Sequence, residues 1–311
     1  MPTKENENFI PRNSNNPGVE KILGEYSTAL DEIVNFGSNV FCWSSEKIHG
    51  GEELAPLFFS FRHIFEVLDA ISILVKYSSI EPCKILLRSA FESVLNIKYI
   101  LQKDPAIRGR DFMTCYWHVA ITNNRKADPD DCTHKELLAI IHKNASMKNF
   151  RFPEIPNVKN ILKILTDHLA SAEYAEAEQE YQRLLKLKDR KPNWYSMHGG
   201  PSNIIELAEA MDSRLEYELL YREWSGLVHG FDIIMNNVEV VDYGKVLASQ
   251  IRLPTNAYDI ICKAIQYGLE IIPPFIKYIV PEKMKEAQEW YDKEYITMKK
   301  SVLLKNRIIV R

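Results

Sequence analysis

Two stretches of the chain hold side chains whose types and spacing can do chemistry. In YREWSGLVHG, Arg222 and His229 stand seven residues apart. On a helix that is nearly two turns, so both side chains project to one side, about 10 Å apart along the axis, with Ser225 and Gly226 between them. A guanidinium keeps its charge and can hold a phosphate, while an imidazole titrates near neutrality and can move a proton. A glycine between them lets a backbone or ligand come close. Those are the parts of a metal-independent ribonuclease, in which the RNA 2′-hydroxyl attacks its own phosphate with acid/base help from histidine and charge stabilisation from arginine. On spacing alone, the plainer reading is the commoner one: a histidine at a helix C-terminus and an arginine in a surface salt bridge.

The second stretch is LLRSAFES, where Arg88 and Glu92 form an i, i+4 pair among Ile85, Leu86, Leu87, Phe91, Val94 and Leu95. Left in solvent, such a pair adds only a few tenths of a kcal/mol. On so apolar a helix, charged groups also line polar pockets or hold another charge.

The elements that must position these residues are helical. Leu57, Phe61, Ile64, Phe65, Leu68, Ile71 and Val75 recur at three and four spacing and predict a helix from about Leu54 to Tyr77. After Ser79, Pro82 sits at a first-turn position and a second helix runs to about Lys103. Two such helices with a short joint form an antiparallel hairpin. Further helices are expected over Ile107–Arg125, His134–Asn144 and Val158–Asp189, the last bent near Ser171. Lys191–Gly200 reads as a loop. Ser202 is the expected N-cap of Asn203–Asp212, and Leu215 to about Phe231 forms its own helix. Ile233–Thr255 is mixed, with a loop or a short extended piece. Helices over Tyr258–Val280, strained by Pro273 and Pro274, and over Pro281 to about Lys305 close the chain. The expected fold class is all-α, in three parts: residues 1–53 as a polar arm and accessory helix, 54–232 as a helical core, and 233–311 as a helical extension packed on it.

Composition narrows the function. The chain has 311 residues, with 39 Lys+Arg against 42 Asp+Glu, so no global basicity points to nucleic acid and any such contact must come from a local patch. Its five cysteines, Cys42, Cys83, Cys115, Cys132 and Cys262, contain no CxxC pair and are expected to be buried thiols. The N-terminal residues lack a signal-peptide profile, and the apolar runs Leu68–Val75 and Ile271–Val280 are too short for a membrane span. The expectation is a cytoplasmic protein without membrane contact. His134 and His142 stand eight apart, but no HExxH, Glu-x-x-His pair or Cys/His quartet occurs, so no metal is expected. GxxxxGK[ST], GxGxxG and GxSxG motifs are also missing, which removes the main warrant for P-loop, dinucleotide and α/β-hydrolase chemistry and leaves no cofactor. The charged run from Ala172 to Arg190 has too few apolar positions for a coiled-coil seam and reads as a solvated helix.

LLRSAFESVLNIKYIL, the loop at Trp194, and YELLYREWSGLVHG occur together over about Phe58 to Phe231, and as a set they resemble the bacterial domain-of-unknown-function 5677 family. The Arg222-to-His229 spacing is also similar to the R-x(4–6)-H motif of the HEPN superfamily (higher eukaryotes and prokaryotes nucleotide-binding). Those all-helical domains include RNases of toxin–antitoxin, abortive-infection and CRISPR systems. The resemblance implies a HEPN-like helical bundle, RNA as substrate, and a site formed across a homodimer. A cognate antitoxin or another defence-system protein would be the partner. Carried over, it makes His229 the acid/base residue and Arg222 the phosphate holder, with Arg88, Glu92, Tyr221, Ser225 and Gly226 supporting the pocket. One departure stands out: many active HEPN nucleases have Asn, Asp or His directly after the arginine, and Glu223 stands there in this chain.

Two other readings stay open. The Arg/Glu/His cluster can be a buried polar network, or a nucleotide pocket, in a non-catalytic sensor or scaffold. The aromatic residues Trp290, Tyr291 and Tyr295 can be a contact surface for a partner protein.

Overall fold

A computed structural model describes residues 9–11, 16–45, 51–153, 155–188, 191–228, 238–241 and 245–303. The fold is all-α, and the chain forms two compact units. The larger comprises Met1–Gly50, Leu57–Gln102 and Ala208–Arg311, the smaller Gly51–Pro56 and Lys103–Leu207.

The larger unit begins with α1 (Pro17–Ser45). Pro17 occupies its first turn, where no N–H is needed, and the Asn16 side chain accepts from the N–H groups of Gly18 and Val19 at 3.0 and 3.3 Å. α2 (Ala55–Lys76) and α3 (Glu81–Gln102) follow the apolar periodicity and join through a short turn. His63 on α2 and Ser89 on α3 meet at 3.0 Å, a contact between the helix before the turn and the helix after it, as expected of a helical hairpin. α11 (Ala257–Ile279) packs on α1 and α3 and keeps Pro273 and Pro274 inside the helix. Phe275 on α11 stacks on Phe61 of α2 at 3.9 Å, and Tyr26, Leu30, Ile33, Leu68 and Phe91 are also fully buried in this core. Gly268 permits the α1 approach, since a Cβ there would stand 2.5 Å from Ile33. Among the described residues of the segment expected to be mixed, β1 (Val238–Val241) pairs antiparallel with β2 (Lys245–Ala248).

The smaller unit holds α4 (Pro105–Ala127), α5 (Cys132–His142), α6 (Val158–Leu169) and α7 (Ala175–Lys188). The bend expected near Ser171 is the break between α6 and α7. α7 is solvated on one face and buries Ala177, Tyr181 and Leu184 on the other, so it is a packed surface helix. Gly109 on α4 lies under the 3-10 turn Glu52–Leu54, where a Cβ would come within 1.8 Å of the Glu53 carbonyl oxygen.

Several expectations need correction. The cap of α8 (Ile204–Ala210) is Asn203: its Oδ1 accepts from the N–H groups of Ile205 and Glu206, and Ser202 instead bonds the Glu206 carboxylate. A short carboxamide one residue nearer the helix reaches the free N–H groups better. Within the stretch read as a loop, Trp194–Gly199 holds 3-10 turns broken by a kink at Met197 and His198. Cys42 and Cys132 are exposed, whereas Cys83 is buried and its thiol is pushed up to about 12 by burial. Of the C-terminal aromatic residues, Trp290 stacks on Phe36 at 3.8 Å and donates to Glu32 at 2.7 Å and Tyr295 is buried, while Tyr291 stays exposed. His134 and His142 each bond a backbone carbonyl, of Lys126 and Phe150. Among the described residues, no helix is long and apolar enough to cross a membrane.

Candidate functional site

The Tyr217-to-Val228 segment decides where the candidate residues point. A one-turn α9 (Arg214–Glu216) leads into a π turn, Tyr217–Tyr221, and then α10 (Arg222–Val228). A π turn widens the helix by one residue and so re-aims whatever follows it. Here Tyr221 ends the turn and is buried against α3, with Phe91 at 5.5 Å and Tyr217 stacked on it at 5.1 Å.

Tyr221 is the centre of the first constellation. Arg88 Nη2 donates to Tyr221 Oη at 3.0 Å, and that hydroxyl donates to Glu92 Oε1 at 2.7 Å. The Arg88 guanidinium lies over the same ring, 4.6 Å from its centroid, while its Nε stands 3.6 Å from Glu92. Burial, reinforced by the Glu92 carboxylate, pushes the Tyr221 phenol up to about 12, so it stays a neutral donor. Hydrogen bonds to charged groups contribute about 1.5–3 kcal/mol, and the partly exposed Arg88–Glu92 ion pair much less. The arrangement is therefore a lock between α3 and the π turn, built through the tyrosine.

Arg222 lies on a different face. One residue further round the helix is a rotation of about 100°, and that carries its side chain out to 74% exposure. Its contact is Glu218 at 3.2 Å, and Glu218 also receives Arg214 at 2.5 Å, so two guanidinium groups share one carboxylate. Glu223 is exposed, while Arg88 is engaged by Tyr221 and Glu92. Ser225 and Gly226 are half-buried on α10, beside the buried Trp224. His229 lies outside the described residues. The structure thus joins Arg88, Glu92 and Tyr221, and sets Arg222 apart from them.

The smaller unit holds three histidine–carboxylate pairs that the sequence reading did not single out. His118 meets Glu178 at 2.7 Å, His168 meets Glu52 at 2.7 Å, and His198 meets Asp111 at 3.2 Å. Burial raises the Asp111 carboxyl to about 6 against the pull of His198, with Glu176 and Glu180 adding to the rise. The partners of the first two pairs are 60 and 116 residues apart, so no local spacing announces them. One signal was available: His118, Thr122 and Arg125 fall at i, i+4 and i+7 on α4, the spacing that drew notice to Arg222 and His229.

Helices α3 and α10 both fall within a stretch that matches a known family of sequences. The chain belongs to the family of unknown function DUF5677, whose profile matches residues 54–243 and so covers both helices. No curated protein and no solved structure matches the chain.

Proposed function

We propose that the chain is a metal-independent endoribonuclease of a bacterial defence system, of the abortive-infection or toxin–antitoxin kind. The observation that supports this reading most is the outward turn of Arg222. A residue serving only to lock helices would be buried like Tyr221, whereas Arg222 is exposed and held by one carboxylate it shares with Arg214. A phosphate can displace such a contact, because exposed ion pairs are weak.

In this reading Arg222 holds a non-bridging phosphate oxygen and His229 takes the proton of the RNA 2′-hydroxyl. The 2′-oxygen bonds to phosphorus, the bond to the 5′-oxygen breaks, and a proton is given to that leaving oxygen. A second copy of the motif across a homodimer supplies the second acid/base group. A cognate antitoxin or another defence-system protein restrains the activity.

A second reading rests on the Arg88–Tyr221–Glu92 lock: the chain is a helical sensor or scaffold, and this network only specifies the fold. RNA cleavage by purified protein in EDTA, wild type beside His229→Ala, with melting curves of both, separates the two. The ribonuclease reading expects cleavage by wild type and its loss in a variant that melts like wild type. An intact RNA panel with wild type, and a variant melting many degrees lower, would replace it with the scaffold.

A further inference from the structure

In the smaller unit a cleft of about 440 Å³ opens between α4, α6 and α7, within the usual range for a small-molecule site. Its floor is fixed. His118 is stacked on Tyr181 at 3.9 Å with the rings 8° from parallel, and its Nε2 donates to Glu178 at 2.7 Å. Glu178 also accepts from Gln182 at 2.8 Å. One helical turn on, Thr122 bonds the His118 carbonyl at 2.8 Å, and Lys191 Nζ reaches the Thr122 hydroxyl at 3.5 Å. Arg125 stands on the same stripe of α4. Arg125 and Lys191 are exposed, Arg125 also drawing on the Asp131 carboxylate beyond the end of α4 through its charge.

The charge balance follows from the lining. Glu178 is its one carboxylate and is engaged by His118 and Gln182, and Tyr181 adds no charge, because burial pushes its phenol up to about 12. Two cations face the opening. A guanidinium matches two oxygens of a phosphate at once, and an ammonium adds a point charge beside it. Ile121, Leu169 and Leu185 provide an apolar wall for a small organic body, more than an inorganic ion needs.

We propose that this cleft binds a phosphomonoester of sugar-phosphate size, with its phosphate between Arg125 and Lys191 and its body against the apolar wall. The inference is independent of the ribonuclease reading, since it uses none of the residues named there. It is tested by calorimetric titration of the full chain with ribose 5-phosphate, inorganic phosphate and ribose. Ribose 5-phosphate should bind saturably, inorganic phosphate more weakly and ribose not at all. Combining Arg125→Gln with Lys191→Gln should weaken ribose 5-phosphate at least about tenfold and leave the ligand-free melting temperature unchanged, since both side chains are exposed. Equal binding of inorganic phosphate would overturn the organic-body claim. Failure of both phosphate probes at millimolar concentration, binding unaffected by the paired substitutions, or capture of a short RNA oligonucleotide with ribose 5-phosphate silent would overturn the site.

Discussion

In the larger unit the fully buried side chains are mostly aliphatic and aromatic, and among the described residues the buried side chain that carries a charge at neutral pH is Lys84, paired with Glu81 at 2.8 Å. The smaller unit buries Asp111, Asp128 and His134 and has all three histidine–carboxylate pairs found among the described residues. The first is held mainly by apolar area, with the half-buried ion pairs Lys98–Glu270 at 2.6 Å and Lys263–Glu216 at 3.2 Å beside it. The second is held in part by groups whose protonation differs between folded and unfolded chains, and such groups make stability a function of pH. The lock and the exposed Arg222 sit in the mainly apolar unit.

Substitutions can break this contrast. The largest effect is expected from Phe61→Ala, which removes a fully buried ring stacked on Phe275 and should cost about 3–5 kcal/mol in denaturant unfolding with little change between pH 5 and 8. Asp111 should act through pH instead. Its carboxyl is held at about 6 against an ordinary 3.8, so the folded state binds the proton more tightly than the unfolded one. The Asp111 contribution to stability should therefore be fully present below about pH 4 and be lost as pH rises through about 6. Asp111→Asn should flatten that decline in melts followed across the range, and an unchanged slope would show that another group carries it.

Tyr221→Phe sharpens the account of the lock. It deletes the hydroxyl shared by Arg88 and Glu92 and keeps the ring, so a loss of about 1–2 kcal/mol is expected in thermal melting. The smallest effect on stability is expected one residue later: Arg222→Ala should stay within about 0.5 kcal/mol, because the side chain is exposed.

Much of this architecture can be read from local periodicity. The apolar residues of α2 and α3, the break near Ser171 and the Arg88–Glu92 pair all show at spacings of three to seven residues. The cap at Asn203 was misjudged by one position, because Ser202 and Asn203 are both good capping residues and only geometry chooses between them. What stayed hidden is non-local. Tyr221 reaches Arg88 and Glu92 across 133 and 129 residues, and the π turn that aims it has no periodicity of its own. The stripe reading placed Arg222 on one face with Ser225 and Gly226. It could not show that the buried partner of Arg88 is the residue just before Arg222.

The central claim is that Tyr221 and Arg222, adjacent in the chain, divide structure from function. The most direct measurement is RNA cleavage in EDTA by wild type, Tyr221→Phe and Arg222→Ala, each well below its own melting temperature. The account predicts that Arg222→Ala melts like wild type and loses cleavage, while Tyr221→Phe melts lower and still cleaves. Cleavage retained by Arg222→Ala, or absent from wild type, would contradict it.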